Sequence, residues 1–377
     1  MNLAVMRDAL AQGMSLVIRA VPSRTAIPIL SHVLVATDDG DLRLTATDME
    51  LTLTVWVPIE RLEEEGAAAV EARTFHQIVS KPIGDQVELI YDPDTQILTL
   101  RGGPTTSVRI KCLPADDFPP VVAPEPTEGS LVLPASLWRE IIKQVKFAAS
   151  TDEARPILTG VSIRTQGNTV TFAATDSYRL SVRRVTMDTP LPEWDVIVPA
   201  RALGELQRLA KEGDTPIQMH INLGQQQAVF RAERAELITQ LLEGKYPDYE
   251  RIIPTRFNTR VVASRDELLR QAEVAQVIAA RESNIIRLSI QPGEDGPGTI
   301  TIASRGEAND ANAWVSAVVE GEPLEVAFNA RYFIEALEAI PTADVVMEFI
   351  APASPVVLKP AGQDDFLHIL MPMQVPA

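Results

Sequence analysis

Cysteine is almost absent from this chain, and with it the cross-linking that stabilises small secreted folds. The single thiol, Cys112, cannot close an intrachain disulfide or build a cysteine-rich metal site, so a buried structural role is expected. Histidine is scarce too: His32, His76, His220 and His368 are scattered, with none of the spacing of a zinc motif. No apolar run approaches the roughly 20 residues that span a bilayer, which argues against membrane insertion. Met1-Asn2-Leu3-Ala4-Val5-Met6-Arg7-Asp8 has no basic flank leading into an apolar stretch and no small-residue cleavage site; the expectation is no secretory signal and a cytoplasmic location. Also missing are a Gly-x-x-x-x-Gly-Lys-Ser/Thr phosphate cradle, a Gly-x-Ser-x-Gly nucleophile elbow and a His-Glu-x-x-His zinc site. A non-catalytic protein without metal or cofactor is therefore expected.

Positive charge is in deficit. Lysine and arginine number 34 against 51 acids, a net charge of −17. Affinity for phosphate comes from basic side chains that release condensed counterions, so any nucleic-acid contact must be local. Two candidate patches exist: Arg139, Lys143 and Lys146 share one helical segment, and Arg201, Arg208 and Lys211 share another, whereas Glu63-Glu64-Glu65 reads as a loop.

What the chain has in abundance is self-similarity. Its 377 residues, 46% hydrophobic, exceed one compact core, and two or three domains are expected. Amphipathic helices open near Val5–Leu10, Leu133–Trp138 and Ala263–Leu268, at nearly equal offsets. Asp8, Ser136 and Ser264 or Asp266 are the cap-region candidates, and Pro134 suits a helix entrance. An alternating strand that ends in Ala46-Thr47-Asp48 recurs as Ala173-Ala174-Thr175-Asp176, with a weaker third copy at Ile300–Arg305. Pro114-Ala115-Asp116-Asp117-Phe118-Pro119 corresponds to Glu243-Gly244-Lys245-Tyr246-Pro247, and both follow a strand-like run. Second helices are expected around Phe75–Val79, Leu203–Leu209 and Tyr332–Leu337. The period, roughly 126 residues, is domain-sized and not that of a solenoid. Three copies of one α+β domain follow, expected at residues 1–126, 127–257 and 258–377. Their boundaries fall in Pro119–Pro126 and Pro254–Thr259. Asp48 and Asp176, at equivalent ends of repeated strands, read as turn residues and not as paired catalytic acids.

Ile27-Pro28-Ile29-Leu30, Ala46-Thr47-Asp48, Thr175-Asp176-Ser177-Tyr178-Arg179-Leu180, Tyr246-Pro247-Asp248-Tyr249 and Met371-Pro372-Met373 together resemble the DNA polymerase III beta subunits, the bacterial sliding clamps. The resemblance runs the length of the chain, in order. It implies an α+β fold of three repeated clamp domains, with helices lining a central channel, antiparallel sheets outside, and a head-to-tail homodimeric ring. Size supports two chains: a domain of this length is about 36 Å across, and three such spheres in a ring leave a hole of only about 5 Å, whereas six leave roughly 36 Å, enough for a duplex. Inward basic helices and outward acidic sheets then reconcile the net charge with DNA.

The same resemblance implies the sites and partners. Arg24, Arg73, Lys81, Lys143, Lys146 and Arg201 are expected to face double-stranded DNA and to meet phosphate without reading bases. A peptide cleft is expected from Leu158, Thr175, Ser177, Tyr178, Arg179, Leu180, Pro247, Arg251, Ile252, Ile369, Leu370, Met371, Pro372 and Met373, an adaptable apolar lining with Arg179 and Arg251 at its rim. It would receive the replicative polymerase, the clamp loader, and other polymerases and repair proteins. Val108 and Ile110 against Val277 and Ile278 are expected at the contact between protomers. Two departures stand out: the chain continues after Met373 as Gln374-Val375-Pro376-Ala377, where the family commonly has a basic residue and Leu, and Thr74, Pro104 and Thr106 occupy positions where relatives place basic residues, lowering the charged contribution to ring closure. The competing reading is an acidic multi-domain peptide-binding scaffold that does not encircle DNA.

Overall fold

The computed structural model describes residues 1–121, 129–210, 214–281, 283–294, 296–305 and 310–374. Lys211, the linker residues Val122, Ala123, Pro124, Glu125 and Pro126, and the final Val375, Pro376 and Ala377 lie outside the described residues. Six α-helices occur among the described residues: α1 (Arg7–Val17), α2 (Ala72–Val79), α3 (Ala135–Val145), α4 (Ala200–Leu209), α5 (Arg265–Ala279) and α6 (Ala330–Ala339). They are the two helices per repeat that the apolar spacing predicts.

By compactness the chain divides into two units, residues 1–139 with 201–241, and residues 140–200 with 242–377. Each holds one twelve-stranded sheet, antiparallel throughout. The first runs Asn2–Met6, Gln86–Asp92, Ile97–Gly102, Thr106–Leu113, Ala67–Glu71, His32–Asp38, Asp41–Thr47, Leu51–Glu64, Ala235–Gln240, Gln227–Ala232, Pro216–Asn222, Leu131–Pro134. The second runs Asp195–Pro199, Gly160–Gln166, Thr169–Thr175, Arg179–Thr186, Phe366–Leu370, Val356–Pro360, Asp344–Phe349, Thr259–Ser264, Asp310–Gly321, Gly298–Arg305, Ile285–Gln291, Leu324–Asn329. The compact units cut through the middle repeat because strands pair across repeats. Leu51 to Val55 lie opposite Thr239 to Ala235 in the first unit, and Arg179 to Arg183 lie opposite Leu370 to Phe366 in the second. At both joints the unpaired amides and carbonyls of one repeat's edge are satisfied by the next repeat. Glu63 and Glu64, expected in a loop, instead end the long strand Leu51–Glu64, which pairs with Asn2–Met6.

Period-two burial sets the sheet faces. In Gly298–Arg305 the buried residues alternate, and Ile300 and Ile302 lie under α5, whose Leu268, Ala272, Ala275 and Ala279 are buried at helical spacing. The alanines let helix and sheet approach closely. Trp138 of α3 is fully buried, donates its indole N–H to the Ile217 carbonyl at 3.2 Å and meets Phe230 edge-on. Cys112 is buried as expected, and burial pushes its thiol up to about 11.

The repeated Thr-Asp pairs form one turn built twice. Asp48 Oδ1 accepts from the amides of Glu50 at 3.1 Å and Leu51 at 2.8 Å. Asp176 Oδ1 accepts from Tyr178 at 2.9 Å and Arg179 at 3.0 Å. Thr47 and Thr175 hydroxyls bridge the same turns, and Met49 and Ser177 both take positive φ, 78° and 81°.

Helix capping departs from expectation in two of three places. Ser264 does cap α5, its side chain accepting from the Glu267 amide at 3.4 Å. At α1 the N-cap is Met6, without a side-chain bond, and Asp8 pairs with its neighbour Arg7. At α3 the Ser136 amide donates to Asp214 Oδ1 at 3.2 Å, so the cap comes from a distant loop. Ser264→Ala is expected to cost about 1 kcal/mol in urea unfolding, whereas Asp8→Ala should cost much less; equal losses would contradict this assignment.

Candidate functional site

The second unit gathers most of the expected cleft. The Thr175–Arg179 turn projects Tyr178, 58% exposed, and the Tyr178 carbonyl accepts from the Met371 amide at 2.9 Å. Chain exit from the last strand is thereby fastened beside the turn, and the Met373 amide continues the attachment by donating to Ala327 O at 2.7 Å. Met371 and Met373 are each 38% exposed. Ile252 and Pro247 are exposed on the Tyr246–Ile253 segment, whose Tyr246, Tyr249 and Ile253 pack with Leu180 and Ile369. Arg251 is exposed and paired with Asp248 at 2.6 Å. Ser177 Oγ accepts from Arg155 at 3.0 Å.

Other members of the expected lining are floor and not surface. Leu180, Ile369 and Leu370 are fully buried, and Thr175 and Leu158 nearly so. The Thr175 amide donates to the Tyr246 hydroxyl at 3.0 Å, an oxygen whose ionisation burial opposes. An apolar platform thus supports a smaller display of Tyr178, Ile252, Pro247, Met371, Pro372 and Met373.

Arg179 departs from the expected rim position: its side chain is only 5% exposed. Its Nε donates to Asp176 Oδ2 at 3.0 Å, Nη1 to Glu335, and Nη2 to the Phe147 carbonyl at 2.6 Å. The guanidinium lies 4.2 Å from the Tyr332 ring centre and 5.2 Å from that of Phe147. Each of its three nitrogens donates within the protein, so Arg179 holds the turn that presents Tyr178 and does not reach out. Glu335 also accepts from Arg331 at 2.8 Å; burial raises its carboxyl pKa, but hydrogen bonds from Arg331 and Arg179 outweigh this and hold it below the usual carboxylate range. Phe147, Tyr332 and Glu335 were not foreseen as parts of the site, since only the folded chain brings α6 and the segment after α3 to this turn.

Beneath the hub lies His368, fully buried, its Nδ1 2.7 Å from Ser181 Oγ and its ring stacked on Phe147. Burial, then the nearby Arg179 charge, pushes its pKa down to about 3.

The expected DNA-facing residues fall into separate groups. Around α2, Arg73 donates to the carbonyls of Pro22 at 3.5 Å and Ser23 at 3.3 Å, fastening the loop that carries exposed Arg24. Lys81 is exposed just beyond α2. Arg201, in the first turn of α4, pairs with Asp48 at 2.6 Å. In the second unit Lys143 is exposed on α3 and Lys146 half-buried. Arg139, grouped with them by sequence, is half-buried and donates to the Ala210 carbonyl after α4. Nearby, the Arg19 guanidinium pairs with Glu205 of α4, which also meets Arg208 at 3.4 Å, and that pairing holds the Arg19 pKa above its ordinary value.

Of the expected contact residues, Val277 is 61% exposed and Ile278 half-buried on α5, and Val108 is half-buried. Ile110 is already buried within its own unit, which leaves it little surface for a partner. Among the described residues no cluster of three or more His, Cys, Asp or Glu could hold a metal ion, and no helix is long and apolar enough to cross a membrane.

The chain matches the DNA polymerase III beta subunit N-terminal domain over residues 1–123, the central domain over 132–248 and the C-terminal domain over 250–374. It is 36% identical to the beta sliding clamp of Synechococcus elongatus, covering all of both chains. It is 28% identical to that of Bacillus subtilis over 99% of this chain and 100% of that one. Among solved structures it is similar to the Bacillus subtilis DNA polymerase sliding clamp, with a TM-score of 0.92 at 27% identity over the whole of both chains. The Pseudomonas aeruginosa sliding clamp bound to griselimycin gives 0.90 at 29%, again over the whole of both chains.

Two outcomes follow. Arg179→Ala removes the guanidinium that joins Asp176, Glu335 and the Phe147 carbonyl and is expected to lower stability by about 2 kcal/mol; an unchanged urea midpoint would count against the buried hub. His368 is neutral when folded and takes up a proton near pH 6.5 when unfolded, so its contribution is full above that pH and declines as pH falls toward 3. The slope is at most about 1.4 kcal/mol per pH unit. His368→Asn should flatten stability between pH 6 and pH 4 relative to the parent; parallel curves would dismiss the role of this imidazole.

Proposed function

Because the chain belongs to the DNA polymerase III beta subunit family, we propose that it is a DNA sliding clamp, the processivity factor of a replicative polymerase. Two copies close into a head-to-tail ring around duplex DNA, with three domains each, bounded near residues 126 and 257. The ring has no catalytic role of its own. It retains the polymerase by topology, and base sequence is not read.

The observation that carries this reading is the repeated ladder at both joints within the chain. A strand equivalent to Leu51–Glu64 pairs with one equivalent to Ala235–Gln240 each time, at 51–55 with 235–239 and at 179–183 with 366–370. Among the described residues one strand of each kind retains an unpaired stretch. In Thr106–Leu113 only Cys112 and Leu113 pair with Ala69–Val70 on the far side from Ile97–Gly102, and in Asp310–Gly321 only the last residues, from Ala317, pair with Thr259–Ala263. A second copy supplies the missing partner of each, and head-to-tail pairing covers both of these stretches.

Arg24, Arg73, Lys81, Lys143, Lys146 and Arg201 are proposed to meet phosphates, with Arg201 exchanging its Asp48 partner for DNA. The apolar display around Tyr178, Met371 and Met373 is proposed as the cleft for peptide segments of the polymerase, the clamp loader and other polymerases and repair proteins. The thioether and aromatic surface suits several ligands in turn. Loading requires a separate ATP-driven machine.

Retention on DNA tests the reading. Loaded protein is expected to stay on nicked circles through a high-salt wash and to leave within minutes of linearisation. Loss from circles and linear DNA alike would favour the peptide-binding scaffold. Deleting residues 371–377 is expected to weaken polymerase-peptide binding at least tenfold by calorimetry, with retention on circles unchanged.

A further inference from the structure

We infer that ring closure is specified by a cross-strand ion pair between Arg109 of one copy and Asp310 of the other, with Trp314 covered at the same seam; this rests on the ring reading above. The register comes from the chain's own repeats. Within repeats, Thr47 lies opposite Thr52, Thr175 opposite Leu180 and Arg305 opposite Asp310, so Thr52, Leu180 and Asp310 are equivalent. On the other side of each joint, Thr99 lies opposite Arg109, Val229 opposite Ile238 and Val357 opposite Ile369, so Arg109, Ile238 and Ile369 are equivalent. The two joints inside the chain pair Thr52 with Ile238 and Leu180 with Ile369. The third joint therefore pairs Asp310 with Arg109.

The same register recurs in a second bond. The Trp56 amide donates to Arg234 O at 3.0 Å, and its equivalent Arg184 donates to Asp365 O at 2.7 Å. Trp314 is the third member of that set, and the carbonyl set against its amide belongs to Thr105 of the second copy. Trp56, at a filled joint, is part-buried, and its indole donates to Asp38 at 2.8 Å. Trp314 is 71% exposed, whereas Trp138 and Trp194 are buried.

Chemistry at this position changes from joint to joint. Leu180 and Ile369 are both fully buried, so their pair is apolar packing. Arg109 and Asp310 are both exposed, and among the described residues neither has an ion-pair partner. Opposite charges set face to face attract only when the strands meet in this register, and a slip of one residue sends the two side chains to opposite faces. Arg109 thus places a positive charge on the strand that has Thr106 where relatives place a basic residue. An apolar ladder alone would accept several registers; a charged rung admits one.

Charge exchange on the full-length protein tests the pair. Sedimentation across a dilution series is expected to give a dimer for the parent, at least a tenfold weaker dimer for Arg109→Glu and for Asp310→Arg, and recovery to within about threefold for the double variant. Circular dichroism of each single variant reports folding separately. Tryptophan emission should shift to longer wavelength on dissociation of the parent, and Trp314→Phe should abolish that shift. A dimeric parent that ignores both reversals, or reversals that weaken it without mutual rescue, would overturn the register while leaving the ring intact. A parent monomeric at micromolar concentration would sink the ring reading itself.

Discussion

Edge strands must be paired, and this requirement organises the chain. Each repeat has a sheet whose rim presents unsatisfied amides and carbonyls, which attract other strands unless covered. Residues 51–55 and 179–183 satisfy theirs with 235–239 and 366–370, so two sheets of twelve strands arise from repeats that each supply fewer. Main-chain bonding carries the joint, and side chains are free to differ there. Thr52 and Ile238 at one joint stand where Leu180 and Ile369 stand at the other.

Local chemistry was legible in the sequence, and distant chemistry was not. The Asp48 and Asp176 turns were readable because their bonds reach only two or three residues along the chain. Ser264 was readable as a cap for the same reason. Asp8 and Ser136 do not cap their helices: α1 has no side-chain cap, and Asp214 supplies one to α3 from a distant loop. Helix spacing gave α2, α4 and α6, while nothing in the spacing of acids revealed that Glu63 and Glu64 prolong a strand whose partner is Asn2–Met6.

The cleft illustrates the same divide. Tyr178, Met371 and Met373 stand at the surface, in keeping with the family resemblance, but arginine is exposed by default and Arg179 is not. Its burial depends on Glu335, Tyr332 and Phe147, which belong to other parts of the second unit. A charge neutralised on several sides becomes a rigid strut, and the flexible methionines beside it are left to adapt. Rigid support under a yielding surface suits the proposed role of this surface as a cleft for unlike peptides.

An antiparallel ladder also has a mechanical character. Drawn apart along the strand axis, its hydrogen bonds share the strain and must fail together; prised from one end, it parts rung by rung, each step against only a small fraction of the total. The joint at residues 51–55 is therefore stiff to sliding and compliant to peeling. A pull directed at one strand end therefore meets less resistance at any moment than the same pull directed along the strands.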